Sequence, residues 1–124
     1  LKKLETIPRP YFDFTVQTWV GHVLTLLKEK AIDIEAHECG FCHYVQRVTP
    51  KEDILSCEPC PAYRICRKDP GYWELFVALH SKRTYGECLE IALRILEWLH
   101  DFEAAGKVTK AVAGDTDSAY YPVR

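Results

Sequence analysis

Five of the six cysteines in this 124-residue chain lie between positions 39 and 66, in the order Cys39-Gly40-Phe41-Cys42, Cys57-Glu58-Pro59-Cys60 and then Cys66. A C-x-x-C turn can aim two soft, anionic sulfurs at one ion. A second such turn completes a tetrahedron, with bonds of about 2.3 Å to zinc. The two turns are separated by fourteen residues, a spacing that suits a four-thiolate site. Structural zinc on Cys39, Cys42, Cys57 and Cys60 is the first expectation. Cys66 or His43 are the substitutes, because five sulfurs are one more than a tetrahedral ion takes.

The stretch Cys57-Glu58-Pro59-Cys60-Pro61-Ala62-Tyr63-Arg64-Ile65-Cys66 resembles the cluster-binding segment of WhiB-type regulators and of RecB-like nucleases. That resemblance implies a [4Fe–4S] cluster on Cys42, Cys57, Cys60 and Cys66 as the alternative cofactor. It carries no activity with it: the WhiB Gly-rich turn and basic tail are missing, as is a nuclease carboxylate set. The run from Cys39 to about Phe102 also resembles a loose group of small phage and prokaryotic proteins. They share C-x-x-C, a spacer, C-x-x-C-P, a further Cys, an aromatic Pro/Gly-Tyr segment and a closing amphipathic helix. Here these parts are Cys39 and Cys42, then Cys57, Cys60 and Pro61, Cys66, Pro70-Gly71-Tyr72-Trp73, and Thr84 to Phe102. This resemblance implies a metal-stapled helical domain. A third pattern, Cys39-Gly40-Phe41-Cys42-His43, matches covalent haem attachment, which requires export that nothing else in the sequence supports.

Catalytic constellations are absent from the sequence. It contains no H-E-x-x-H, no phosphate-binding glycine loop, no G-x-S-x-G and no deaminase H-x-E stretch. An all-thiolate ion would be closed to substrate. Cys42 and His43 are adjacent, and neighbours in sequence rarely face each other as nucleophile and base. The chain therefore reads as an interaction module rather than an enzyme.

Composition agrees with a folded protein, at 48% hydrophobic and 27% charged residues. A net charge of −2 argues against strong attraction to nucleic acid. Arg64, Arg67, Lys68, Lys82 and Arg83 keep a nucleic-acid-binding zinc knuckle as an alternative. A protein partner or self-association is the leading expectation, because so few helices cannot bury all of Trp19, Trp73, Trp98, Tyr72 and Tyr85, and those left over form an aromatic patch. No apolar run reaches the roughly 18 residues a membrane span needs. The opening Leu1-Lys2-Lys3-Leu4-Glu5 lacks an apolar signal core, so a reducing cytoplasm is the expected compartment, where clustered cysteines bind metal more often than they pair.

These groups must be positioned by a mainly α domain of three to four helices, stapled at the Cys-rich loop and with room for a short hairpin. Residues 1–12, with Pro8 and Pro10, read as an extended lead-in. Asp13 then caps a helix from Phe14 to about Lys30, with Val16, Val20, Val23, Leu24 and Leu27 as its buried stripe, widened by Trp19 and Leu26. His22 beside that stripe reads as a half-buried packing residue. Residues 31–37 alternate as a strand would, or continue the helix. Gly40 lets the Cys39–Cys42 turn fold tightly, and residues 44–53 form a loop or hairpin arm. Cys60 caps a short helix over 61–67, and 72–81 reads as another helix. Thr84 and Glu87 form a capping box for the clearest helix, whose face is Cys88, Ala92, Ile95, Leu96, Leu99 and Phe102. Cys88 on that face reads as a small hydrophobe and not a ligand. Gly106 ends the helix, and the domain, at 13–106. Residues 107–124 read as a tail that packs through Val108, Val112, Tyr120 and Tyr121.

Overall fold

Pro8 and Pro10 bracket the point where the first helix begins. In the computed structural model, which describes residues 4–30, 39–48, 60–62 and 84–110, α1 spans Arg9–Leu27, with Pro8 as an extended N-cap (φ −65°, ψ 148°) and Pro10 in the first turn. The helix therefore opens five residues before the expected start at Phe14. The first-turn N–H groups have no carbonyl four residues back, so proline loses no bond there, and its fixed φ suits the helix. Asp13 does not cap. Its carboxylate meets Arg9 at 3.3 Å, and the same guanidinium also bonds Glu103.

The face that α1 buries also differs from the expected stripe. Tyr11, Phe12, Phe14, Thr15, Thr18, Trp19 and Leu26 are buried, whereas Val20, Leu24 and Leu27 are 41%, 53% and 60% exposed. Apolar side chains lie nearly all round this helix, so periodicity could not choose a face. Trp19 is core, as expected of its place beside the stripe. His22 packs half-buried against it, edge to face with ring centroids 5.1 Å apart, as expected.

Helix α2 spans Gly40–Val48, so the segment 44–48 is helical rather than a loop or hairpin arm. Its Phe41 and Val45 turn inward. Phe41 meets Trp98 and Phe102 at centroid distances of 5.9 and 5.4 Å. Arg47 donates to the Tyr11 hydroxyl at 2.7 Å, fixing the far end of α2 to α1.

Helix α3, Tyr85–Ala104, follows the sequence closely. The Thr84 hydroxyl accepts from the Glu87 N–H, and the Glu87 carboxylate accepts from the Thr84 N–H, so the capping box forms in full. Cys88, Ile91, Ala92, Ile95, Leu99 and Phe102 are buried along one face, and Leu96 packs beside them. The Cys88 thiol sits 1% exposed among hydrocarbon, as a small core side chain.

Past α3 the chain does not simply trail away. Val108–Thr109 (β2) pairs in parallel with Ile7–Pro8 (β1), Ile7 opposite Val108. The Ile7 N–H donates to the Lys107 carbonyl at 3.0 Å, and Ile7 is fully buried. Two residues per strand leave no alternation to read, which is why this pairing was invisible beforehand. The described part is thus mainly helical, three helices and one short parallel pair. Among the described residues no helix is long and apolar enough to cross a membrane. The expectations for 31–37, 49–53, the bulk of the 61–67 helix, the 72–81 helix, the basic residues 64–83, and Val112, Tyr120 and Tyr121 lie outside the described residues.

Two helix ends close with the same hydrogen-bond pattern on different residues. After α3, Gly106 sits at φ 77°, its N–H donating to the Glu103 carbonyl while Lys107 N–H reaches the Phe102 carbonyl. After α1, Glu29 occupies the equivalent left-handed position at φ 55°, its N–H on the Leu26 carbonyl and the Lys30 N–H on that of Thr25. Glycine adopts this conformation without a Cβ penalty and glutamate does not. Glu29→Gly is therefore expected to stabilise the fold by about 0.5–1 kcal/mol, and Thr84→Ala to destabilise it by about 1 kcal/mol. Both are read as shifts of the thermal midpoint. A drop on Glu29→Gly would contradict the left-handed cap.

Candidate thiol site

Helix α2 begins where the Cys39 carbonyl accepts the His43 N–H at 3.2 Å, which makes Cys39 the N-cap and puts Cys42 in the first turn. The Cys39 sulfur accepts from the N–H groups of Phe41 and Cys42, as a capping side chain does. The Cys42 thiol also hydrogen-bonds to it, so the two sulfurs lie side by side. Both residues are half-buried thiols and not a disulfide.

What sets this end of α2 in place is a contact with the middle of α1. Thr15 Oγ1 donates to the Tyr11 carbonyl at 2.9 Å and accepts the Gly40 N–H at 2.9 Å. It also reaches the Cys39 sulfur, so its single proton has two acceptors at hand. Gly40 lies against the α1 backbone so closely that a Cβ there would overlap the Tyr11 carbonyl oxygen and come within 2.6 Å of Thr15 Oγ1. The glycine is required for helix-to-helix approach, not for the tight turn expected around an ion.

The environment of Cys39 favours its thiolate. The hydrogen bond from Cys42 does most to pull its pKa down to about 7, burial opposes the shift, and the Cys42 and Phe41 amides and the Thr15 hydroxyl assist it. A thiol whose pKa is lowered by folding stabilises the fold most above its ordinary range. That contribution disappears as pH falls through about 7.

The other expected ligands are placed differently. Cys60 is 8% exposed in the apolar core, and its sulfur accepts the Ala62 N–H at 3.4 Å, a contact suited to the N-cap position expected of it. The His43 ring packs edge to face on Phe14 at 5.6 Å. Cys57 and Cys66 lie outside the described residues. Among the described residues, no three His, Cys, Asp or Glu side chains gather where they could hold an ion. Cys39 and Cys42 come together as a pair, and neither Cys60 nor His43 joins them. Thr15 was missed at the sequence level. A threonine one turn after Tyr11 in an otherwise apolar run was its only signal.

Comparison with family models, curated proteins and solved structures returned no match.

In metal-stripped protein, iodoacetamide should label Cys39 with a rate that rises through a midpoint at about pH 7. Thr15→Val should move that midpoint upward, and Thr15→Ser should restore it. A profile centred in the ordinary thiol range for the unaltered protein would refute the assigned hydrogen bonds. Gly40→Ala should cost roughly 3 kcal/mol or more, since backbone and not a flexible side chain occupies the space. Denaturant unfolding measures it, and a loss under about 1 kcal/mol would show that the helices can part without penalty.

Proposed function

We propose that this chain is a small zinc-binding interaction module in which the ion is structural. The observation that supports the reading is the Cys39–Cys42 pair itself: two adjacent sulfurs at a helix N-terminus, with amide N–H groups directed at one of them. Four thiolates around a divalent ion leave an excess of negative charge, and backbone N–H donors offset it. Cys39 and Cys42 would hold one side of the ion. The second C-x-x-C turn, Cys57 and Cys60, would hold the other, with Cys66 or His43 as substitutes. Zinc in such a set supplies a closed four-coordinate cross-link and no open position for substrate.

The acting surface on this reading takes a protein partner. Val20, Leu24 and Leu27 fall at helical spacing on one face of α1 and are exposed, while the overall charge of −2 does not favour nucleic acid. A reducing cytoplasm is the compartment that fits clustered cysteines bound to metal.

Metal analysis of protein purified without oxygen should find about one zinc per chain. A strong chelator should then lower the melting midpoint and the helical circular dichroism signal, because binding energy at such a site is folding energy. Cys57→Ser should mimic the chelator, while Cys88→Ala should cost only on the order of 1 kcal/mol of packing. Several irons with labile sulfide would replace zinc by a cluster on Cys42, Cys57, Cys60 and Cys66. Absence of any metal would sink the proposal.

A further inference from the structure

We propose that a cleft at the C-terminal end of α3 binds an organic cation, an ammonium or guanidinium group carried on an apolar stem. The cleft encloses about 380 Å³, toward the small end of the roughly 300–1,000 Å³ usual for ligand sites. From α3 it is lined by Trp98, Asp101, Phe102 and Ala105, whose spacing places them on one face of the helix. Leu4 and Glu5, in the run leading to β1, line it as well, and Pro61 and Lys107 complete the lining. The rings of Trp98 and Phe102 stack with centroids 5.1 Å apart, and Trp98 is only half-buried. The cleft therefore has an aromatic lining, with Leu4 and Pro61 adding aliphatic surface.

Charge selects the sign of the ligand. Two carboxylates, Glu5 and Asp101, line the cleft against one ammonium, Lys107, and all three residues are exposed. Glu5 has no ion-pair partner among the described residues. Asp101 lies beside the exposed His100 ring, at 3.5 Å. Arg9 is engaged by Asp13 and Glu103 and does not line the cleft. The last turn of α3 carries no basic residue, so nothing within that turn offsets the negative end of its dipole. A cation over an aromatic face gains further from the ring quadrupole, and a guanidinium stacks flat on one. Carboxylates, aromatic rings and a helix C-terminus thus favour the same ligand charge, and an apolar stem would cover the rings, Leu4 and Pro61. Lys107 opposes that charge and supplies an internal control. Neither Cys39 nor Cys42 lines the cleft, and the proposal does not rest on the zinc reading.

The test uses the full chain as purified, with binding read by calorimetry and by the indole N–H signal of Trp98, identified as the one missing from Trp98→Phe. The cationic probes are phenethylammonium and a capped tripeptide with a central arginine. Phenethyl alcohol and hydrocinnamate are their neutral and anionic counterparts. At least one cation should bind with a Kd of about 1 mM and shift the Trp98 signal. The tighter of the two names the source, a free amine or the side chain of a polypeptide. The alcohol should bind at least about threefold more weakly than the amine, and the anion more weakly still. Glu5→Gln and Asp101→Asn should each weaken the better cation about two- to fivefold, and Lys107→Ala should tighten it by a similar factor. All three replace exposed side chains, and circular dichroism checks that the fold is kept. Equal binding of alcohol and amine would overturn the proposal, because the cleft would then select only apolar bulk. So would weaker cation binding by Lys107→Ala, the mark of an anionic or zwitterionic ligand, or no response to either cation up to its solubility.

Discussion

The close approach of Gly40 to the α1 backbone is the constraint on which the arrangement depends. A helix start can lie against another helix at this distance only if it lacks a Cβ, and Thr15 converts the approach into a bond by accepting the Gly40 N–H. That bond satisfies one of the N–H groups that every helix start leaves without an internal partner. It also fixes where α2 begins. Cys39 falls immediately before it and Cys42 within its first turn, so the contact that docks two helices also sets two sulfurs side by side.

The remaining packing reinforces that contact from the other side. Phe41, next to Gly40, inserts between α1 and α3 against Trp98 and Phe102, and Phe102 stacks with Phe12 at 6.2 Å. Each fully buried aromatic contributes about 1.5–3 kcal/mol through area removed from water, so this small group outweighs the exposed ion pairs of Arg9. The short parallel pair β1–β2 then ties the start of α1 to the end of α3 through Ile7 and Val108. Order at the thiols is thus inherited from a hydrophobic contact one residue away.

How much of this was legible in the sequence depended on whether the signal was local. The capping box at Thr84 and Glu87, the buried face of α3 and the stop at Gly106 involve residues within a few positions of one another, and they were readable as written. The mainly helical class followed from them. For α1 the periodicity failed because hydrophobic residues surround the helix, and only tertiary contacts decide that Tyr11 and Thr15 face inward while Leu24 does not. Pro8 and Pro10 misled for a related reason, since proline opposes helix interiors and suits helix starts. The role of Gly40 depends on a residue 25 positions earlier, which no local rule can find. For the candidate site, the spacing expected Cys39 and Cys42 on one turn, and they fall together at the start of α2. The joining of Cys60 to that pair, expected from the same spacing, is not seen among the described residues.

The described cysteines show how environment, and not residue type, decides what sulfur does. Cys88 is 1% exposed within the hydrophobic cluster at the start of α3 and acts as volume. Cys60 is nearly as buried but accepts an amide N–H from its own turn, which orients the sulfur without freeing it from the core. Cys39 receives several donors at once and is partly open, which favours its charged form. The thiolate is the form in which sulfur binds metal. The neighbouring thiol of Cys42 does most to favour that form, and the α1–α2 contact adds the Thr15 hydroxyl to it.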